Sequence, residues 1–283
     1  MNTLNLAWRQ RGVVLLLALA FASPRQSLAA GTDTSCYEGL PEWKEMPRAE
    51  RVLYIFVDQT TPLSGAMKKK IVDMLGDWGR PGDVVKLGKF SANFRGRYPQ
   101  LVYTGRVEPE PNEAYLYHLR YFDKTGLRDC LKQQHMNFGK NLKNRLSEVM
   151  KEIDPTIPKT DIFYSLRELT TNAIRATEAR RKIVLLITDG LENSAVTSFY
   201  NKGNVRKLAP RKVVATIRKQ KMIANWKGAE VYMYGVGLMR DSKTYQVWSQ
   251  LDNLRNFWER YLVEGNALVR GIGTPELLID KIN

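Results

Sequence analysis

Histidine and cysteine are scarce in this chain, two of each in 283 residues, and that scarcity removes several chemistries at once. His118, His135, Cys36 and Cys130 do not form a set at zinc-ligand spacing. No Gly-x-Ser-x-Gly elbow is present and neither histidine follows a strand-like run, which argues against an ordinary Ser-His-Asp hydrolase. Gly235-Val236-Gly237 and Gly271-Ile272-Gly273 lack the third glycine and the helix start of a dinucleotide fingerprint, so both read as strand-end turns. There is no internal repeat and no low-complexity tract. Beyond the N-terminal segment, no apolar run is long enough to span a bilayer.

The first residues read as a targeting segment. Arg9 and Arg11 supply a basic flank, Val13 to Ala22 an apolar core too short to cross a membrane comfortably, and Ser27-Leu28-Ala29 the small residues of a cleavage site. Cleavage is expected after Ala29, giving a periplasmic or secreted chain; a retained N-terminal anchor is the alternative. No cysteine follows the apolar core directly, which argues against lipid attachment there. An exported chain meets an oxidising compartment, so the even pair Cys36 and Cys130 invites a disulfide between an N-terminal arm (30–50) and the middle of the chain, against two free buried thiols. The formal charge of +15 falls to +12 once Arg9, Arg11 and Arg25 are removed, which favours polyanionic surroundings without identifying one.

After the arm, strand-like and helix-like stretches alternate, the pattern of a mostly parallel sheet covered by helices. Strands are expected at Arg51–Val57, Asp83–Phe90, Leu101–Val107, Lys182–Thr188, Glu230–Val236 and Ala267–Ile272. Four of these are apolar without polar alternation, as strands buried on both faces are. Helices are expected at Ser64–Trp78, Leu127–Ile153, Asp161–Thr177, Val205–Ile223 and Ser242–Tyr261. In the first, Met67, Ile71, Met74, Leu75 and Trp78 recur at spacings of three and four, with Pro62 and Ser64 at its start. Residues 108–153 exceed a minimal doubly wound domain and read as a helical insertion. Its aromatic stretch Tyr115, Tyr117, His118, Tyr121 and Phe122 suits either a stacking platform or, more commonly, packing beneath the insertion.

The apolar run Arg51 to Val57 stops on Asp58-Gln59-Thr60-Thr61-Pro62, an acid followed by hydroxyls at a strand's carboxyl end. In an open α/β sheet the crevice beyond those ends is where ligands bind, and such oxygens suit a hard cation or a phosphate. Two further loops should meet it there, Pro158-Lys159-Thr160-Asp161 and Ile187-Thr188-Asp189-Gly190. Together the three segments resemble the von Willebrand factor A family, whose first strand ends in Asp-x-Ser-x-Ser, whose later loop supplies a Thr beside a helix start, and whose third motif is a hydrophobic strand ending in Asp-Gly. The resemblance covers about Arg51 to Val236. It implies a doubly wound α/β domain over 51–283 and a metal-ion-dependent adhesion site in which Asp58, Thr60, Thr160 and Asp189 hold magnesium, or manganese or calcium, directly or through water. Pro62 stands where the family has its second hydroxyl and offers neither a side-chain ligand nor a backbone donor. The bland alternative is a degenerate site in which Asp58, Thr60 and Asp189 cap helices and bond to the loops.

The resemblance implies recognition rather than catalysis: a partner's acidic side chain completes the cation's shell, with Gln59 and Asn193 flanking the opening. Taken with the targeting segment, it implies a protein partner in the cell envelope, in a secretion, conjugation or pilus type of assembly, which is fold-level analogy. A magnesium-dependent phosphate-ester hydrolase using Asp58 as nucleophile is a rival reading, weakened because the general-acid position two residues on is Thr60. A second rival is a polyanion or membrane-surface module built on the basic segment 205–223, with Arg206, Lys207, Arg211, Lys212, Arg218 and Lys219; nucleic acid is the least favoured partner, and a solvated helix face is the ordinary meaning of such charge.

Overall fold

The computed structural model describes residues 34–40, 49–76, 78–91, 98–201, 204–239 and 248–282, with residues 31–32 by backbone alone. The targeting segment and its cleavage point, part of the arm, and the start of the helix expected from Ser242 lie outside the described residues. In chain order the elements are β1 (Gly31–Thr32), β2 (Ala49–Asp58), α1 (Gly65–Asp73), β3 (Asp83–Phe90), β4 (Gln100–Arg106), α2 (Glu113–His118), α3 (Tyr121–Lys151), α4 (Ile162–Leu169), β5 (Ala179–Ile187), β6 (Tyr200–Asn201), β7 (Asn204–Val205), α5 (Pro210–Lys219), β8 (Glu230–Tyr234), α6 (Trp248–Glu264) and β9 (Leu268–Ile272).

The main sheet runs β1-β4-β3-β2-β5-β8-β9, and β6 pairs with β7 apart from it. Pairing is parallel except between β3 and β4. Without the two-residue β1, the order is third-second-first-fourth-fifth-sixth, a doubly wound α/β sheet with its switch point between β2 and β5. Every residue from Val52 to Val57 is fully buried, as is every residue from Ile183 to Ile187. The absence of polar alternation in these strands is therefore burial on both faces. One face packs against α4, α5 and α6 through residues such as Phe163, Ile217, Phe257 and Trp258. The other packs against α1 and the second half of α3 through Met67, Ile71, Phe138, Leu142 and Leu146.

Helix ends depart from the sequence expectations for identifiable reasons. Ser64 caps α1 by accepting from the Met67 amide, but the α-helix closes at Asp73 instead of running on to Trp78. Gly79 takes a positive φ of 124°, and the Asp83 carboxylate collects the Gly79 and Arg80 amides, turning the chain into β3. After Leu169 the α4 helix widens into a π turn over Thr170–Ile174. There the Thr170 hydroxyl donates to the Arg167 carbonyl. The helix expected from Val205 begins only at Pro210, because Val205 pairs with Tyr200 in the β6–β7 hairpin and proline occupies the first helical turn.

The inserted region divides in two. The second half of α3 covers the sheet, while α2 and the first half of α3 form a small separate core with the arm, built from Tyr37, Leu116, Leu119, Leu127 and Leu131. Cys36 and Cys130 are joined by a disulfide with their Cα atoms 5.6 Å apart. The buried Glu108 carboxylate completes the attachment, accepting from the Ser35 hydroxyl at 2.6 Å and the Cys36 amide at 2.7 Å. Packing beneath the insertion applies to Tyr115, which is half-buried beside Tyr37. Tyr117, Tyr121 and Phe122 instead face solvent. They lie on the opposite side of the α2–α3 corner from Leu116 and Leu119, so burying the leucines turns the aromatics outward.

A disulfide closing a loop of this length removes much denatured-state entropy. Cys36→Ser with Cys130→Ser is expected to lower unfolding stability by about 2–4 kcal/mol. Equilibrium urea unfolding checks this, with a slope equal to or steeper than wild type because the uncrosslinked denatured chain exposes more surface. A change below measurement error would show that Glu108 and the small core hold the arm unaided.

Candidate functional site

At the switch point, β2 and β5 deliver Asp58 and Asp189 to the same loop cluster. Asp58 is completely buried. Its Oδ1 accepts from the Thr60 amide at 2.9 Å and the Thr60 hydroxyl at 2.7 Å, and its Oδ2 from the Thr188 hydroxyl at 2.7 Å. The Thr61 hydroxyl, also beside the Asp58 carboxyl, accepts from the Asp189 amide at 3.0 Å. Asp189 Oδ1 accepts from the Leu191 amide at 2.8 Å. Gly190 makes this turn at φ 67°, with its carbonyl accepting from the Trp258 indole; a Cβ there would strike that ring. The third loop brings Thr160, whose hydroxyl lies 2.9 Å from that of Thr60. Thr160 is held by a two-way backbone bridge with Asn193.

These side chains open onto a cavity of about 390 Å³ lined by Thr60, Thr160, Asp189 and Asn193 on its polar side, with Pro62, Ile157, Leu238 and Tyr200 among its walls. Of the four residues expected to hold a cation, three therefore reach the cavity. Asp58 stands behind them and orients Thr60 and Thr188. This placement also removes the geometry of the phosphate-ester reading, since the Asp58 oxygens are engaged by hydroxyls and an amide and none faces the cavity. Of the alternative in which the acids cap helices and bond to the loops, only the second part is seen: Asp58 accepts from Thr60 in its own loop and from Thr188 in the neighbouring one, and Asp189 from Leu191.

Two flanking positions resolve differently. Asn193 sits at the rim, its side-chain amide donating to the Pro158 carbonyl at 2.7 Å. Gln59 does not flank the opening. It is buried, with its amide turned toward the Val57 and Val149 carbonyls and its own carbonyl accepting from Asp154 at 2.7 Å. The end of α3 closes over it, a contact between segments 90 residues apart. Pro62 forms apolar wall, and Ser64 is committed to capping α1, so neither supplies a further ligand.

Burial drives the electrostatics. The Asp58 carboxyl is pushed above its ordinary range by desolvation, against the pull of the Thr60 and Thr188 hydrogen bonds. Asp189 is pushed well above its range by desolvation and then by the charge of Asp58. Among the described residues no lysine, arginine or histidine pairs with either acid. Nor do three or more His, Cys, Asp or Glu side chains gather at one point. The donor set is thus one buried carboxylate on the cavity wall and two hydroxyls, hard oxygens of the kind Mg²⁺ and Ca²⁺ accept while keeping waters. Residues and cation are chemically matched.

Three contributors were not singled out from the sequence. Thr188 is marked only by its place before an Asp-Gly turn. Tyr200 lines the cavity from the β6–β7 hairpin. Glu192 reaches across to the start of α4, accepting from the Ile162 amide at 2.8 Å and the Phe163 amide at 3.2 Å. It replaces the cap that Asp161, the residue in the capping position, does not make with its side chain. The basic residues divide as well. Arg206 lies before α5, donates to the Thr197 hydroxyl at 3.2 Å and stacks on Phe199, while Arg211, Lys212, Arg218 and Lys219 are exposed on α5.

No protein-family model matches the chain, and no curated protein does. Among solved structures it is similar to the pilus adhesin SpaC from Lactobacillus rhamnosus GG in its open conformation, at 14% identity and a TM-score of 0.40. That likeness covers 80% of this chain but only 28% of the adhesin, so the chain spans less than a third of that protein's length. It is also similar to an aerotolerance-related membrane protein from Bacteroides fragilis NCTC 9343, at 13% identity and 0.36, covering 79% and 92% of the two chains. A conserved hypothetical protein, BatB from Bacteroides thetaiotaomicron, follows at 12% and 0.28, covering 80% and 91%. The fold itself is defined by the strand order and register.

Burial pushes the Glu192 carboxyl up to about 8, against the pull of the two α4 amides. An acid raised in the folded state contributes stability below its ordinary pKa and loses it as pH rises through the folded value. Between pH 5 and 8 the wild type should therefore lose up to about 4 kcal/mol relative to Glu192→Gln, which keeps a neutral acceptor at both amides. Parallel urea-unfolding curves across that range test this; identical pH slopes would contradict it.

Proposed function

We propose that the chain is a non-enzymatic protein-binding module of the cell envelope whose rim receives an acidic side chain of a partner through a divalent cation, magnesium in the first instance. One observation carries the reading: the Thr60 and Thr160 hydroxyls stand 2.9 Å apart beside Asp189 in an open cavity, with two buried acids that no basic residue pairs among the described residues. A bound cation supplies the missing positive charge and a coordination position for the partner's carboxylate. Thr60 and Thr160 present hydroxyl oxygens, and Asp189 presents charge. Asp58 fixes Thr60 in orientation, and the Thr61 hydroxyl holds the Asp189 backbone. Asn193 stands where an arriving partner makes its first polar contact. Asp189 is the one carboxyl among the cavity's described lining residues, and no histidine or cysteine nucleophile stands with it there, which favours recognition over turnover.

Envelope location rests on the expected targeting segment and on the disulfide, which persists only in an oxidising compartment. A role in a secretion, conjugation or pilus assembly extends the same reading by analogy with surface proteins such as the adhesin above.

Calorimetric titration of Mg²⁺ and Mn²⁺ into chelator-treated protein tests the cation. Wild type should bind with measurable heat, Asp189→Ala should show none, and Thr160→Val should bind at least about tenfold more weakly through the loss of one oxygen donor. Silence from wild type that is folded by circular dichroism would end the cation-bridging reading.

A further inference from the structure

The helices α5 and α6 present two matching stripes to solvent. On α5, Arg211, Ala215 and Arg218 fall at helical spacings of four and three. On α6, Asn256, Arg260 and Val263 do the same beside them, with Glu264 next to Val263. Together with the edge of Val214 they line an open groove of about 760 Å³. The inner faces of both helices are used up in the core, by Val214 and Ile217 on one side and Leu254, Phe257 and Tyr261 on the other. The groove is thus the outer seam between two helices that are already anchored.

Its chemistry is asymmetric. Val263 is 59% exposed in the seam beside the Arg218–Glu264 pair, where an apolar side chain gains nothing from water. Arg218 is held by Glu264 at 2.6 Å. Arg211 and Arg260 make no ion pair or hydrogen bond among the described residues. Lys212 and Lys219 add exposed positive charge on α5, which carries no acid. Glu259 is the one lining acid without a described partner. An apolar floor between free guanidinium groups is complementary to an apolar stripe flanked by carboxylates.

We propose that this groove docks an amphipathic, acidic helix of a partner protein. The two stripes extend over two helical turns, about 10 Å, which matches two turns of a third helix laid along the seam. Its apolar residues cover Ala215 and Val263, and its Asp or Glu residues meet Arg211 and Arg260. A nucleic-acid backbone would leave the apolar floor unused. A lipid surface would need a convex apolar face, and this one is recessed. The groove is built from residues separate from the Asp189 cavity, so its occupancy does not depend on the cation.

The test is selection of a displayed library of random 16-residue peptides on the whole chain, with counter-selection on Arg211→Glu/Arg260→Glu. Enriched peptides should carry apolar residues at spacings of three and four flanked by Asp or Glu. By fluorescence anisotropy they should bind the double variant and Val263→Asp at least tenfold more weakly than wild type, and Thr160→Val equally well. Val263→Ser serves as a milder replacement if Val263→Asp unfolds. The proposal is overturned by the absence of enrichment, by enriched peptides without helical apolar spacing, or by equal binding to the double variant. Phosphatidylglycerol vesicles that bind through the same arginines, and that the peptides do not displace, would also overturn it in favour of a membrane surface.

Discussion

Two carboxylates buried in one loop cluster, with no arginine or lysine to answer them among the described residues, constrain the carboxyl edge of this sheet more than any other feature. The opposite edge shows the contrast. There Arg51 grips Asp83 through two hydrogen bonds of 2.8 and 2.6 Å, linking β2 to β3. Glu230 on β8 is held by Arg181 of β5 and Arg270 of β9. Each acid along that edge is matched to a guanidinium, as charges withdrawn from water must be. Asp58 and Asp189 are matched only to hydroxyls and amides. A fold that pairs its acids so consistently at one end and leaves two unpaired at the other has an edge whose charge balance requires either protons or something bound.

The hydroxyls explain how the chain tolerates this arrangement. Thr60 and Thr188 each donate to Asp58, so its two oxygens are satisfied although desolvated. Asp189 is less provided for, with one hydrogen bond, from the Leu191 amide, among the described residues and a place on the cavity wall. The two acids therefore have distinct roles. One is structural and positions a hydroxyl; the other carries the unmet charge. Pro62 gives the cavity an apolar wall and no oxygen from its side chain. The site depends correspondingly more on Thr160, which is why the bridge between Thr160 and Asn193 matters to its geometry.

Much of this was legible in the chain itself. Unbroken apolar runs marked the strands that are buried on both faces, and the acid-hydroxyl pattern after β2 together with Asp189 located the switch point. What stayed hidden were contacts between segments distant in sequence. Gln59 follows Asp58 and looks like a rim residue, yet the end of α3 and Asp154 fold over it and turn it inward. Glu192 has no local signature as a cap because the helix it caps begins 30 residues earlier. The late start of α5 depended on the β6–β7 hairpin claiming Val205, a two-residue pairing that no periodicity reveals. The exposure of Tyr117, Tyr121 and Phe122 follows from how α2 turns into α3, a corner whose direction is set by which leucines the arm buries.

The inserted helix gives the domain a mechanical link between its two ends. At 31 residues, α3 is about 45 Å long. Its last turn lies against the loop carrying Asp58, where the Val149 carbonyl accepts from Gln59 and Lys68 donates to the Met150 carbonyl. Its first turns hold the arm through Cys130 and the small leucine core. Between these ends, Phe138, Leu142 and Leu146 are buried against the sheet, so the helix cannot shift along its axis without breaking core packing. The disulfide consequently does more than secure a peripheral arm. It fixes the free end of the same rigid element whose other end sets the position of Gln59 and, through it, of the loop that begins with Asp58.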